Sequence, residues 1–365
     1  MWPLVQPGLI RDVYAVSVAD VRTSTHGVEG ALRLGVIGAG SWGTTVAAIA
    51  CENTETVLWA RRSELADEIN SDRCNRAYLD GFDLPASLTA TGALADAVGG
   101  ADVVVMGVPS HGMREIAIQV ARHIRPWVPV ISLSKGLEPS TLLRMTEVLA
   151  EELPGRPVGV LTGPNLAREI IAGQPAAAVV GIADATIAEE LQRVLSRPTL
   201  RVYTNPDVIG CEVAGVVKNV IAIASGMAEG MGFGDNTRAT LITRGLAEMS
   251  RLGVAMGGDP LTFSGLAGAG DLIATCSSRQ SRNNSVGLAL GRGERIEDIL
   301  ASMTMVAEGV KSSPSVLELA ARYGVEMPIT EQVVAVCHQG VAARDALVNL
   351  MTRSSRSELD RFDSR

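Results

Sequence analysis

The chain has 365 residues, 47% of them apolar, which is enough to fill the cores of two domains and excludes disorder over most of its length. A net charge of −8 argues against a nucleic-acid partner, and the five scattered cysteines (Cys51, Cys74, Cys211, Cys276 and Cys337) form neither a disulfide framework nor a zinc pattern. Only three of the 32 basic residues are lysines, Lys135, Lys218 and Lys311, so a cation that must release a proton has few candidates.

Residues 1–30 have weak periodicity and read as a flexible arm without the features of a signal peptide. From Leu32 onward, short apolar runs (34–37, 56–59, 103–108, 128–133, 158–161 and 177–180) alternate with helix-length segments. Strands that lack polar alternation and are separated by helices predict a parallel sheet covered on both faces, a Rossmann-like doubly wound α/β domain over 31–206. From about Asp207 the pattern turns helical (208–228, 238–252, 285–290, 296–303, 312–323 and 330–339), with Gly-rich turns at 230–234 and 265–270. This predicts an all-helical substrate and catalytic domain over 207–350, followed by a charged tail, 351–365. The most apolar stretch, 213–228, contains Lys218 and Asn219 and falls short of the roughly 20 residues of a membrane span. A cytoplasmic protein with no integral membrane segment is therefore expected.

The first strand runs into Gly38-Ala39-Gly40-Ser41-Trp42-Gly43, a G-x-G-x-x-G that opens an apolar helix. Gly38, Gly40 and Gly43 suit a tight turn, the approach of a pyrophosphate and close helix packing, so a dinucleotide site is expected. Beyond the second strand stand Arg61 and Arg62 where an NAD site usually has a carboxylate. Two guanidiniums suit a 2′-phosphate, so NADP(H) is favoured and NAD(H) is also accommodated if they form only a solvated tip. Lys135 ends another strand, placed for a phosphate or substrate oxygen unless it is an ordinary surface lysine. His111, beside the cofactor, reads as a bystander.

Lys218 interrupts an apolar helix of the kind buried all round. Burial tunes a lysine toward proton transfer, and the competing reading is a structural lysine paired with Glu212 or another carboxylate. Asp271 follows three glycines and would accept from a substrate hydroxyl, hold Lys218, or cap a turn. Ser281 is placed to cap the next helix, with Arg282 completing an anion seat. Cys276 reads as a buried bystander, and no metal-ligand spacing is present.

The motifs GAGSWGTT (38–45), SKGLE (134–138), LTGPNLARE (161–169), VVKNVIAIASGM (216–227) and GLAGAGDLIATCSSRQSRN (265–283) occur in order across both halves. On them the chain resembles the bacterial-type NAD(P)-dependent glycerol-3-phosphate dehydrogenases over about 34–350. The resemblance implies reversible reduction of dihydroxyacetone phosphate to sn-glycerol 3-phosphate, for phospholipid synthesis, by a homodimer. It implies that Ser41, Trp42, Arg61, Arg62, Lys135, Ala167, Arg282, Val306 and Glu308 contact the cofactor. It assigns substrate contacts to Lys135, Gly163, Asn165, Lys218, Asp271, Ser281, Arg282 and Asn283, with Lys218 as the acid/base. The family usually has Ser or Thr where this chain has Asn165.

Overall fold

A computed structural model describes residues 32–303 and 307–352. The arm at 1–30, Val306 and residues 353–365 lie outside the described residues. Eight strands form one sheet: β1 (Arg33–Ile37), β2 (Glu55–Trp59), β3 (Thr89–Thr91), β4 (Val103–Met106), β5 (Val130–Ser132), β6 (Val158–Thr162), β7 (Ala176–Gly181) and β8 (Leu200–Asn205). Their order is β3-β2-β1-β4-β5-β6-β7-β8. Along the central strands the apolar side chains divide between the two faces. Leu34, Val36, Val103 and Val105 pack on one side, and Ile37, Val104 and Met106 on the other. Helices cover both faces: α1 (Ser41–Ala50), α2 (Ser63–Asp72), α3 (Arg76–Leu79), α4 (Leu94–Val98), α5 (Met113–Ala121), α6 (Met145–Glu152), α7 (Ala167–Ile171) and α8 (Ala185–Leu195).

The sheet is mixed rather than wholly parallel, because β6 and β7 run antiparallel. Only the five-residue α7 lies between them, about 7 Å of helix, too short to carry the chain back along the sheet for a parallel crossover. The strand pattern had also passed over β3, a three-residue edge strand, and β8, whose residues alternate between buried and exposed.

After β8 the chain is helical: α9 (Val208–Gly230), α10 (Asp235–Ala255), α11 (Pro260–Ser264), α12 (Asp271–Ser277), α13 (Arg282–Gly291), α14 (Ile296–Ser302), α15 (Glu308–Arg322), α16 (Pro328–Gln339) and α17 (Ala343–Met351). By length and composition α9 does qualify as a membrane-crossing helix, longer than the 213–228 stretch allowed for. Yet 89% of its most apolar window is buried inside the protein, as the centre of the helical core. The backbones of α9 and α13 touch: a Cβ at Gly226 would lie 2.1 Å from the Asn284 carbonyl oxygen, and one at Gly287 would lie 2.1 Å from that of Ile223. Residues 266–270, expected as a turn, form a π-helical turn that delivers Asp271 to the start of α12. Such wide turns recur at functional sites.

Candidate active site

In open α/β sheets ligands bind beyond the carboxyl ends of strands where the strand order reverses. Here that point lies between β1 and β4. The loop after β1 is built as the glycine spacing requires. Gly38 has φ +117°, and a Cβ there would meet the Gly107 carbonyl oxygen at 2.5 Å. A Cβ on Gly43 would approach the Gly38 carbonyl oxygen to 2.0 Å, so α1 packs directly on the turn. At Gly40 nothing lies within 4 Å of an added Cβ, leaving open space at the N-terminus of the ten-residue α1. A helix N-terminus with uncapped amides facing open space is suited to an anion. The Trp42 Nε1–H is buried without a partner among the described residues, while the Ser41 hydroxyl donates to the Tyr78 carbonyl. Asn75, which the sequence pattern did not single out, is fully buried and holds the loop by donating to Ala39 O at 3.0 Å and Thr44 Oγ1 at 2.9 Å. Arg61 and Arg62 are exposed beyond β2. These residues fit a dinucleotide.

The second half of the site centres on Asp271, whose side chain is 2% exposed and bridges two ammonium groups. Lys218 Nζ donates to Asp271 Oδ1 at 2.6 Å, and Lys135 Nζ donates to Asp271 Oδ2 at 2.5 Å. Lys218 also donates to Thr275 Oγ1 at 2.7 Å, and the Thr275 hydroxyl in turn donates to the Asp271 carbonyl at 2.6 Å. Lys135 donates to the Gly163 carbonyl at 3.0 Å. An ammonium has three N–H donors, so each lysine keeps one without a protein partner among the described residues. Burial, reinforced by the charge of Lys218, pushes the Lys135 pKa down to about 8 against the opposing pull of Asp271. Lys135 is half-buried, its side chain 17% exposed, and is held on Asp271 and Gly163 rather than free at the surface.

Glu212 is not the partner of Lys218. Six residues separate them, which sets their side chains about 120° apart around the helix. Glu212 instead accepts from Arg144. Gly215 makes room for the Lys135 stem, since a Cβ there would lie 3.3 Å from Lys135 Cγ.

The remaining predicted residues surround this centre unequally. Ser281 caps α13 by accepting from the Asn284 amide at 3.2 Å, and Arg282 projects as an exposed side chain from the first turn. Asn283 donates to Asn219 Oδ1 at 3.0 Å and accepts from the Gly309 amide at 2.9 Å. Asn219 reaches the Lys135 carbonyl at 3.4 Å, so a polar chain runs from the lysine loop to the start of α15. There Glu308 accepts from the Ser110 hydroxyl at 2.9 Å, joining α15 to the loop after β4. Both amide atoms of Asn165 and the Thr162 hydroxyl are buried without partners among the described residues. Ala167 begins the short α7. His111 is exposed, and burial pushes the Cys276 thiol up to about 12, which suits neither for catalysis. Among the described residues no group of His, Cys, Asp or Glu side chains could hold a metal ion. Thr275 and Asn219 were missed from sequence, although Thr275 stands one helical turn from Asp271.

Two family descriptions match the chain in tandem. The N-terminus of NAD-dependent glycerol-3-phosphate dehydrogenase matches 33–188, and its C-terminus matches 207–348. The chain belongs to this family. It is 56% identical to glycerol-3-phosphate dehydrogenase (NAD(P)+) 2 of Sphingopyxis alaskensis, over 90% of this chain and 98% of that one. It is 51% identical to the glycerol-3-phosphate dehydrogenase (NAD(P)+) of Corynebacterium jeikeium, over 90% and 100%. The crystal structure of the Coxiella burnetii glycerol-3-phosphate dehydrogenase superposes with a TM-score of 0.84 at 36% identity, covering 88% of this chain and 99% of that one. The chain is therefore an NAD(P)-dependent glycerol-3-phosphate dehydrogenase in type, an oxidoreductase whose cofactor is NAD(P)(H).

Proposed function

We propose that this dehydrogenase reduces dihydroxyacetone phosphate to sn-glycerol 3-phosphate, reversibly, with Lys218 as the acid/base. The observation that carries the reading is the buried Lys218 and half-buried Lys135 on one buried carboxylate, each with an N–H left over for a substrate oxygen. The reduced dinucleotide supplies the hydride that becomes the hydrogen on C2. The uncapped amides at Ser41, Trp42 and Gly43 would hold its pyrophosphate, and Arg61 and Arg62 would hold a 2′-phosphate, favouring NADP(H) while leaving NAD(H) usable. Ala167 and Glu308 complete that half, with Glu308 tying α15 across to Ser110.

Lys218 Nζ directs its remaining N–H at the C2 carbonyl oxygen, stabilises the charge that develops there, and gives up the proton. Asp271 and Thr275 fix the other two N–H groups, which sets the direction of the third. Lys135 adds a second positive charge and holds the substrate with Gly163 and the unsatisfied Asn165 amide. Arg282 and the first-turn amides of α13 that the Ser281 cap leaves free, with Asn283, seat the phosphate, and that remote binding orients the carbonyl. The product supplies the glycerol phosphate backbone of phospholipids.

We place the enzyme in the cytoplasm, where its five free cysteines suit a reducing compartment, and as a homodimer. We also propose the division into domains at 31–206 and 207–350. The test is NADPH oxidation followed by absorbance with dihydroxyacetone phosphate, with NADH in parallel. Turnover faster with NADPH is expected. Folded protein that binds NADPH and turns over with neither cofactor would overturn the reading.

A further inference from the structure

The two lysines reach Asp271 from different parts of the fold. Lys135 lies on the loop after β5, and Lys218 lies in the middle of α9. Their relative placement therefore depends on how that loop is fastened to that helix. Three residues of α9 at helical spacing face the loop. Glu212 binds Arg144 and Thr146, Gly215 admits the Lys135 stem, and Asn219 reaches the Lys135 carbonyl.

The Glu212 contact is the strongest of the three. Its carboxylate, 3% exposed, accepts from Arg144 Nη1 at 2.6 Å, from the Thr146 amide at 2.9 Å and from the Thr146 hydroxyl at 2.5 Å. It thereby satisfies an amide in the first turn of α6 from a different helix. Arg144 is itself fastened to the lysine loop, because its backbone forms an antiparallel bridge with Leu137, two residues after Lys135. Glu138 N donates to Leu143 O at 3.0 Å in the same hairpin. On the other side Glu212 stands six residues before Lys218, about 9 Å along α9.

We propose that Arg144, Thr146 and Glu212 form a positioning clasp that sets the Lys135 loop against the Lys218 helix and so holds both ammonium groups on Asp271. The clasp touches neither substrate nor cofactor, and its contribution to turnover rests on the function proposed above. Buried charge pairs are weak sources of stability, whereas an error of about 1 Å in the placement of reacting groups costs about 100-fold in rate. The function of the clasp is thus alignment.

Glu212→Gln tests it, with a loss of stability because it neutralises one partner of a buried ion pair. The amide oxygen still receives the Thr146 N–H, and Arg144 keeps Glu147, whose Oε1 lies 2.7 Å from Nη2. Two readouts separate alignment from bulk stability. One is kcat per folded molecule beside the Kd for NADPH. The other is reductive methylation of the three lysines, quantified by mass spectrometry with exposed Lys311 as the internal reference.

E212Q is expected to lower kcat at least tenfold, leave the NADPH Kd within twofold, and raise labelling of Lys135 and Lys218 relative to Lys311 several-fold. Thr146→Val, which keeps the ion pair, should move the same readouts less, and it carries the test if E212Q fails to fold. An unchanged labelling ratio with kcat within twofold of wild type would overturn the clasp. So would a loss of activity that only tracks the folded fraction. Wild-type protein inactive on dihydroxyacetone phosphate, with labelling that still responds to E212Q, would sink the substrate reading and leave the clasp standing.

Discussion

Replacing Asp271 with Asn removes the charge that a buried and a half-buried ammonium group share while nearly preserving shape. At 2.5 and 2.6 Å, and with an effective dielectric constant of about 20, each lysine gains about 6 kcal/mol from the carboxylate before desolvation is counted. Removing one partner of a buried ion pair costs about 3–5 kcal/mol after relaxation. That cost is pH-dependent, and its sign follows from Lys135. Burial already depresses its pKa to about 8, and Asp271 opposes that depression, so the variant's Lys135 pKa falls below 8. The penalty therefore grows as pH falls below 8 and is complete only below the variant's own Lys135 pKa. It shrinks as pH rises through 8, where wild-type Lys135 also becomes neutral. Urea unfolding of wild type and D271N at pH 6 and pH 9 reads this directly. The expected loss is about 3–5 kcal/mol at pH 6 and clearly less at pH 9, with kcat down by 100-fold or more at both. An equal loss of stability at the two pH values, or near-normal turnover, would refute the shared-carboxylate account.

Other outcomes follow from the same coordinates. Arg61→Ala combined with Arg62→Ala should raise the KM for NADPH about tenfold or more while leaving that for NADH within a few-fold, read from initial rates with each cofactor. Equal effects on both cofactors would mean that the guanidiniums do not read a 2′-phosphate. Glu248, buried in α10, accepts from the Ile329 and Thr330 amides at the start of α16, and burial pushes its pKa up to about 7. A carboxyl raised in the folded state stabilises fully below its unfolded value of about 4.5, and that stabilisation is lost as pH rises toward 7. Glu248→Gln should therefore gain about 3 kcal/mol relative to wild type between pH 5 and pH 8, measured by urea unfolding. A constant difference across that range would contradict it. Burial also pushes the Cys211, Cys276 and Cys337 thiols up to about 12, so a thiol reagent at pH 8 should titrate no more than Cys74 quickly in folded protein.

The legible parts of this molecule are those where one local requirement dictates a residue type. The glycines at 38 and 43 are forced by backbone oxygens within 2.5 Å of any added Cβ, so the dinucleotide loop stands out in the sequence. A lysine in an apolar helix was conspicuous for the same reason: its burial needs an explanation. Its partner was legible only as one of three roles open to Asp271, beside a substrate contact and a turn cap. Asp271 lies 53 residues from Lys218 and 136 from Lys135, and no periodicity links them. Glu212, six residues away, was the nearer guess and proved to serve Arg144. The turn expected at 266–270 became π-helical because Gly268 allows the chain to close on Phe263, whose carbonyl oxygen would lie 2.1 Å from a Cβ there. Direction in the sheet was equally invisible. An apolar run such as β7 reads the same in either sense, and only the length of its connection decides.

The central claim is that Lys218 supplies the proton at the C2 oxygen, and Lys218→Arg tests it most directly. Arginine keeps the positive charge near Asp271 and Thr275 but does not release a proton in the working pH range. Single-turnover oxidation of bound NADPH by dihydroxyacetone phosphate should slow by about 100- to 10,000-fold, with the Kd for NADPH unchanged. A rate near that of wild type would contradict the account and move the proton to another group.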